Sequence, residues 1–134
     1  MADYKSAYLR EMDRRGIRYL SLGSNIVRVS YSGENLDSIP ILVIFDDDGD
    51  GLVQFACMEI ASFKEDKRYA AALMACNRIN GKFRWVRFYL DDKRNIRAEA
   101  DAVVDASGAG TICVEVVRRM VMVIDEAYEE LKKI

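Results

Sequence analysis

A chain of 134 residues, half of them apolar and about a third charged, has the makeup of one globular domain able to bury roughly two-thirds of its unfolded surface. Its formal net charge of −2 gives no electrostatic basis for binding nucleic acid or an anionic membrane. The absence of histidine removes the commonest general acid/base and metal ligand, and with it Ser-His-Asp, Cys-His and histidine-containing zinc chemistry.

The first stretch, "MADYKSAYLREMDRR", is amphipathic and charged, unlike a signal peptide. It predicts a helix over 3–15: Tyr4, Tyr8 and Met12 fall one turn apart, and Gly16 after Arg14 and Arg15 suits a helix end. "IRYLSL" and "IVRVSY" then alternate with period two around Gly23-Ser24-Asn25, a hairpin signal. "SIPILVIF" is a strand whose continuous apolar run implies cover on both faces or a central place, with Pro40 near its start. That run is too short to span a bilayer, so a cytoplasmic single domain over 1–134 is expected. Cys57, Cys76 and Cys113 follow no CxxC spacing and are expected to be reduced and packed as small hydrophobes.

Between "SIPILVIF" and the next strand, "LVQFACMEI", stands "DDDGDG". Asp46, Asp48 and Asp50 fall at positions 1, 3 and 5 of a calcium loop, with Gly51 at position 6. Position 12 is Cys57 instead of a bidentate glutamate, and the flanks read as strands instead of helices. A hairpin turn is the preferred reading, with Asp46, Asp48 and Asp50 retained as candidate metal ligands.

"KEDKRYAAALMACNRIN" predicts a second helix, with Tyr69, Ala72, Leu73, Cys76 and Ile79 as its apolar stripe and Asn80-Gly81 as its end. "FRWVRFYL" and "NIRAEADAVV" follow as strands joined by an acidic turn. Alternation puts Val86, Phe88 and Leu90 on one face and Trp85, Arg87 and Tyr89 on the other. That exposed row suits protein binding better than nucleic-acid stacking on an acidic chain. Glu99 and Asp101 beside Arg97 read as a charge ladder. No nucleophile stands with a base to activate it, so neither an enzyme nor a cofactor is expected.

"DASGAG" reads as a linker without the glycines or the GK[ST] of a nucleotide loop. From Thr111 to Lys133 one long helix is expected, despite its β-branched residues. Cys113, Val117, Met120, Ile124, Ala127 and Leu131 form a stripe, which Val114, Val116, Val121, Met122 and Val123 widen. A helix apolar on more than one side needs a second packing partner. Val116, Met120, Val123, Ile124 and Ala127 are therefore expected to face a second copy or a client protein. Ala98, Ala100 and Ala102 are small enough to let a helix lie on their strand. The element order α-β-β-β-β-α-β-β-α with short turns predicts an α+β protein, its helices segregated against a twisted antiparallel sheet.

The stretch "AALMACNRINGKFRWVRFYLDDKRNIRAEADAVVD" resembles the YbjN family of bacterial proteins, also called bacterial sensory transduction regulators. Asn77 and Asn80 take the family's asparagine places, and Phe88, Tyr89, Leu90, Asp91 and Asp92 its strand-and-turn places. The resemblance implies a fold similar to type III secretion chaperones, α-β-β-β-α-β-β-α. It also implies a non-enzymatic regulatory or chaperone-like module, a homodimer that binds other proteins. The alternative is a small-ligand or cation-responsive regulator using the Asp46–Asp50 turn. Asn80 is expected to close its helix, and Asn77 to hydrogen-bond strand backbone.

Overall fold

The computed structural model describes residues 3–46 and 48–134. The nine elements stand in the expected order: α1 (Tyr4–Arg15), β1 (Leu20–Leu22), β2 (Ile26–Tyr31), β3 (Ile39–Phe45), β4 (Leu52–Ser62), α2 (Asp66–Lys82), β5 (Arg87–Leu90), β6 (Asn95–Val103) and α3 (Ala109–Leu131). This is one strand more than the family resemblance implied, because both the Gly23 hairpin and the aspartate turn survive as breaks.

Asp3 caps α1 by accepting from the Ser6 N–H at 3.0 Å, and Gly16 ends it in the left-handed region. The strands form one antiparallel sheet in the order β1-β2-β3-β4-β6-β5. The β3–β4 turn depends on Gly51, at φ +84°. A Cβ there would lie 2.2 Å from the carbonyl oxygen of Val104, just past the end of β6.

Period two decides what each strand buries. Val27, Val29, Ile41, Val43, Val53, Phe55, Ile96, Ala98 and Ala100 point to one face and are buried. On that face α3 lies across β3, β4 and β6, α1 packs on α3, and α2 packs on β5 and α3. Tyr8 of α1 reaches Phe45, ring centroids 5.9 Å apart. Ala98 and Ala100 are covered as expected of small residues beneath a helix.

The supposed linker is partly helix: α3 starts at Ala109, and Gly110 packs against Ala7 and Glu11 of α1. The α1–α3 contact also supplies the second packing partner that the width of α3 demanded. Met120, Ile124 and Ala127 are consequently buried in the chain's own core, and their assignment to an association surface is corrected. Val116 and Val123 are half-buried.

Candidate functional site

Among the described residues no helix covers the sheet's other face. Its residues can be read straight across the strands from the pairing register. One row runs Leu20, Arg28, Leu42, Ala56, Glu99, Arg87, and the next Leu22, Ile26, Ile44, Gln54, Asp101. An antiparallel sheet with a solvated face usually alternates apolar-in with polar-out. Here the β1–β3 side of the bare face is instead largely apolar, with Leu20 and Leu22 exposed on it, and Leu52, Met58 and Val103 are exposed on β4 and β6 of the same face. The unbroken apolar run of β3 thus goes with its central place in the sheet and not with double cover: Pro40, Leu42 and Ile44 are only half-buried and face outward.

The β5–β6 side of the same face is charged and tightly organised. Glu99, 6% exposed, accepts from Arg87 at 2.9 Å and from the Tyr89 hydroxyl at 2.7 Å, and pairs with Arg97 at 3.1 Å. Arg87 also holds Asp101 at 2.7 Å. The Asp101 hydrogen bond, with both neighbouring carboxylates, raises the Arg87 pKa, and the Glu99 bond raises that of Tyr89. With the carboxylates engaged by guanidinium groups, the arrangement is the charge ladder that the sequence suggested. It does not isolate one carboxylate in an apolar pocket as a general acid requires.

Trp85 does not join Arg87 and Tyr89. It lies outside β5 at φ +67°, 69% exposed, with the Arg119 guanidinium 5.3 Å over its ring. Alternation alone had placed it in the row, and a left-handed residue ahead of β5 breaks that alternation. Nor does Asn77 bond to strand backbone. Asn80 does so, one turn later: its Nδ2 donates to the Phe88 carbonyl at 3.0 Å and its Oδ1 accepts from the Phe88 N–H at 2.7 Å.

The aspartate turn is a hairpin turn as expected. Asp48 accepts from the Asp50 N–H at 3.2 Å, and Asp50 from the Leu52 N–H at 3.0 Å. Asp47 lies outside the described residues. Carboxylate oxygens of Asp46, Asp48 and Asp50 come within 4.8 Å of one another, all three residues exposed. The β5–β6 turn works the same way, Asp91 accepting from the N–H groups of Lys93 and Asn95. Burial pushes Cys57 and Cys76 up to about 11 and Cys113 up to about 12, so all three are protonated, weakly nucleophilic thiols at neutral pH.

One feature the sequence gave no sign of ties the β2–β3 loop to α3. The Asp125 carboxylate accepts from the N–H groups of Glu34, Asn35 and Leu36 at 2.9, 2.9 and 3.0 Å. Only an aspartate standing in the polar part of a helix marked the place.

A family model described as "Putative bacterial sensory transduction regulator" matches residues 10–133, nearly the whole chain. The chain belongs to the YbjN family. Among solved structures it is similar to YbjN of E. coli, titled a putative transcription regulator. That match has a TM-score of 0.65 at 14% identity and covers 96% of each chain. It is also similar to the heterodimeric ExoU–SpcU complex of the Pseudomonas aeruginosa type III secretion system, with a TM-score of 0.51 at 16% identity, covering 91% of this chain and 92% of that one. Comparison with curated proteins gives no significant match. At these identities the likeness is one of fold, and it is the α+β, type III secretion chaperone-like fold that the YbjN resemblance implied. Among the described residues no helix is long and apolar enough to cross a membrane.

Proposed function

We propose that this YbjN-family chain is a non-enzymatic regulatory or chaperone-like protein-interaction module of the bacterial cytoplasm, acting as a homodimer. The observation that carries this reading is the β1–β3 side of the bare sheet face, largely apolar where an antiparallel sheet open to water is ordinarily polar. The fold neighbour solved as a heterodimeric complex supports protein binding as the use of such a surface.

The second copy is the occupant of this face. Its β1–β3 side offers exposed Leu20 and Leu22, and its β5–β6 side offers both signs of charge in Arg87, Arg97 and Asp101. A two-fold axis can set apolar against apolar while matching charge to charge, as an isologous contact requires. Val116 and Val123, half-buried on α3, form a second candidate surface.

The test is solution mass by light scattering at two protein concentrations, with calcium or chelator present. A dimer indifferent to calcium, and converted to a folded monomer by Leu22→Glu, is the expected result. A wild-type monomer at both concentrations would refute the homodimer. A calcium-driven change in mass would move the reading to the Asp46–Asp50 turn.

A further inference from the structure

Trp85 stands in the left-handed region, at φ +67°, where a bulky side chain is strained. A 2.8 Å bond from the Val86 N–H to the Arg84 carbonyl closes a three-residue turn around it. Burial does not offset the strain, because the residue is 69% exposed. What holds the ring comes from α3: the Arg119 guanidinium lies 5.3 Å over it, and Glu115 fixes Arg119 at 2.8 Å. Backbone strain at an exposed aromatic residue that nothing in the core requires points to a use for the ring.

The ring walls a cleft of about 340 Å³, a volume suited to a small molecule. Val86, Ala100, Ile112, Val116 and Met120 make up its apolar lining. Val86, Ala100 and Met120 are core residues, so the floor of the cleft is fixed by the fold. The charged groups around it are already matched. Arg87 holds Asp101 at 2.7 Å, and Arg119 holds Glu115. With the adjoining groove counted, Arg84, Arg118 and Arg119 stand against Asp101, Glu115 and Glu126. An ionic ligand would therefore give up its hydration at the cleft without gaining a free counter-charge there.

We propose that this cleft binds a small, neutral, aromatic molecule of one or two rings. Its ring packs on Trp85 in an offset or edge-to-face contact and covers the apolar floor between β6 and α3. The site is separate from the Asp46–Asp50 turn, and its floor belongs to the helix-covered side of the sheet, away from the contact assigned to the second copy. Light scattering decides the homodimer and ligand binding decides this site, so neither result implies the other.

Trp85 is the chain's single tryptophan, and a nitro-substituted ring quenches indole emission on contact, so binding can be read at the site itself. The probes are para-nitrobenzyl alcohol, which is neutral, and its charged analogues para-nitrobenzoate and para-nitrobenzylammonium, titrated into the full-length protein at neutral pH. The expected result is saturable quenching by the alcohol, with both ions binding at least about ten-fold more weakly, or about 1.4 kcal/mol. Ile112→Glu, at a position 39% exposed, should weaken binding of the alcohol about ten-fold in a chain that still folds. Trp85→Gly removes the wall and the strain together and should abolish binding, read by calorimetry. The proposal is overturned if the alcohol does not saturate, if either ion binds as tightly, or if neither variant changes the affinity. It is also overturned if Ile112→Glu lowers the solution mass of the protein alone, because the cleft would then be a contact between copies.

Discussion

The seating of Asp125 on the β2–β3 loop can be tested by a double-mutant cycle with Gly33. Asp125→Ala deprives the amides of Glu34, Asn35 and Leu36 of their acceptor. Hydrogen bonds to a charged group contribute ~1.5–3 kcal/mol each when sheltered, and about 1 kcal/mol each is a fair value where solvent competes. The expected loss is therefore about 2–3 kcal/mol, or a fall in Tm of about 6–12 °C for a chain of this size. Gly33→Ala should cost nearly as much by a different route. Its Cβ would stand 2.1 Å from Asp125 Oδ1 and 2.3 Å from Cγ, so the carboxylate would have to leave its seat. In the Asp125→Ala background that obstacle is gone, and Gly33→Ala becomes neutral or slightly stabilising through its effect on the unfolded chain. Urea unfolding of the four proteins should give a coupling of about 2 kcal/mol. Additive costs would refute the reasoning, because they would mean that the two residues do not compete for one place.

The same pair of proteins gives a pH test. Burial pushes the Asp125 carboxyl up, but the three loop amides and Lys132 outweigh it and hold it below the usual carboxylate range. A carboxyl lowered on folding stabilises the chain fully above its unfolded value of about 3.9 and loses that contribution as pH falls through the lowered folded value. The stability gap between wild type and Asp125→Ala should be level from about pH 5 to 8 and close below about pH 4. A gap that persists unchanged into acid would contradict the charged-acceptor account. Met120→Glu should destabilise the whole chain by at least about 3 kcal/mol, through a charge placed in the core beneath α3, and should not yield a folded monomer. Near-UV circular dichroism separates those outcomes. Glu99→Ala should cost about 3 kcal/mol by leaving Arg87, Arg97 and the Tyr89 hydroxyl without their shared acceptor, with Glu99→Gln costing less. Chemical denaturation that finds both variants within about 0.5 kcal/mol of wild type would show the network to be solvated decoration.

Local periodicity alone determined most of this protein's secondary structure. Period two in "IVRVSY" and "NIRAEADAVV", a helical stripe from Tyr4 to Met12, and turn chemistry at Gly23 and Asp48 to Gly51 each act within a few residues. They gave all nine elements in order and pointed to Ala98 and Ala100 as residues beneath a helix. What periodicity records is that a strand has two faces. It does not record whether a helix covers the second one. Thus the apolar run of β3 fitted double cover and a central place equally, and only the second holds; the breadth of α3 pointed to a partner, when α1 from the far end of the chain supplies that contact. The bare sheet face, the cleft walled by Trp85 and the seat of Asp125 on a loop some ninety residues away are products of tertiary packing. Each joins groups distant in sequence through contacts that repeat with no period, and only the folded chain brings them within reach.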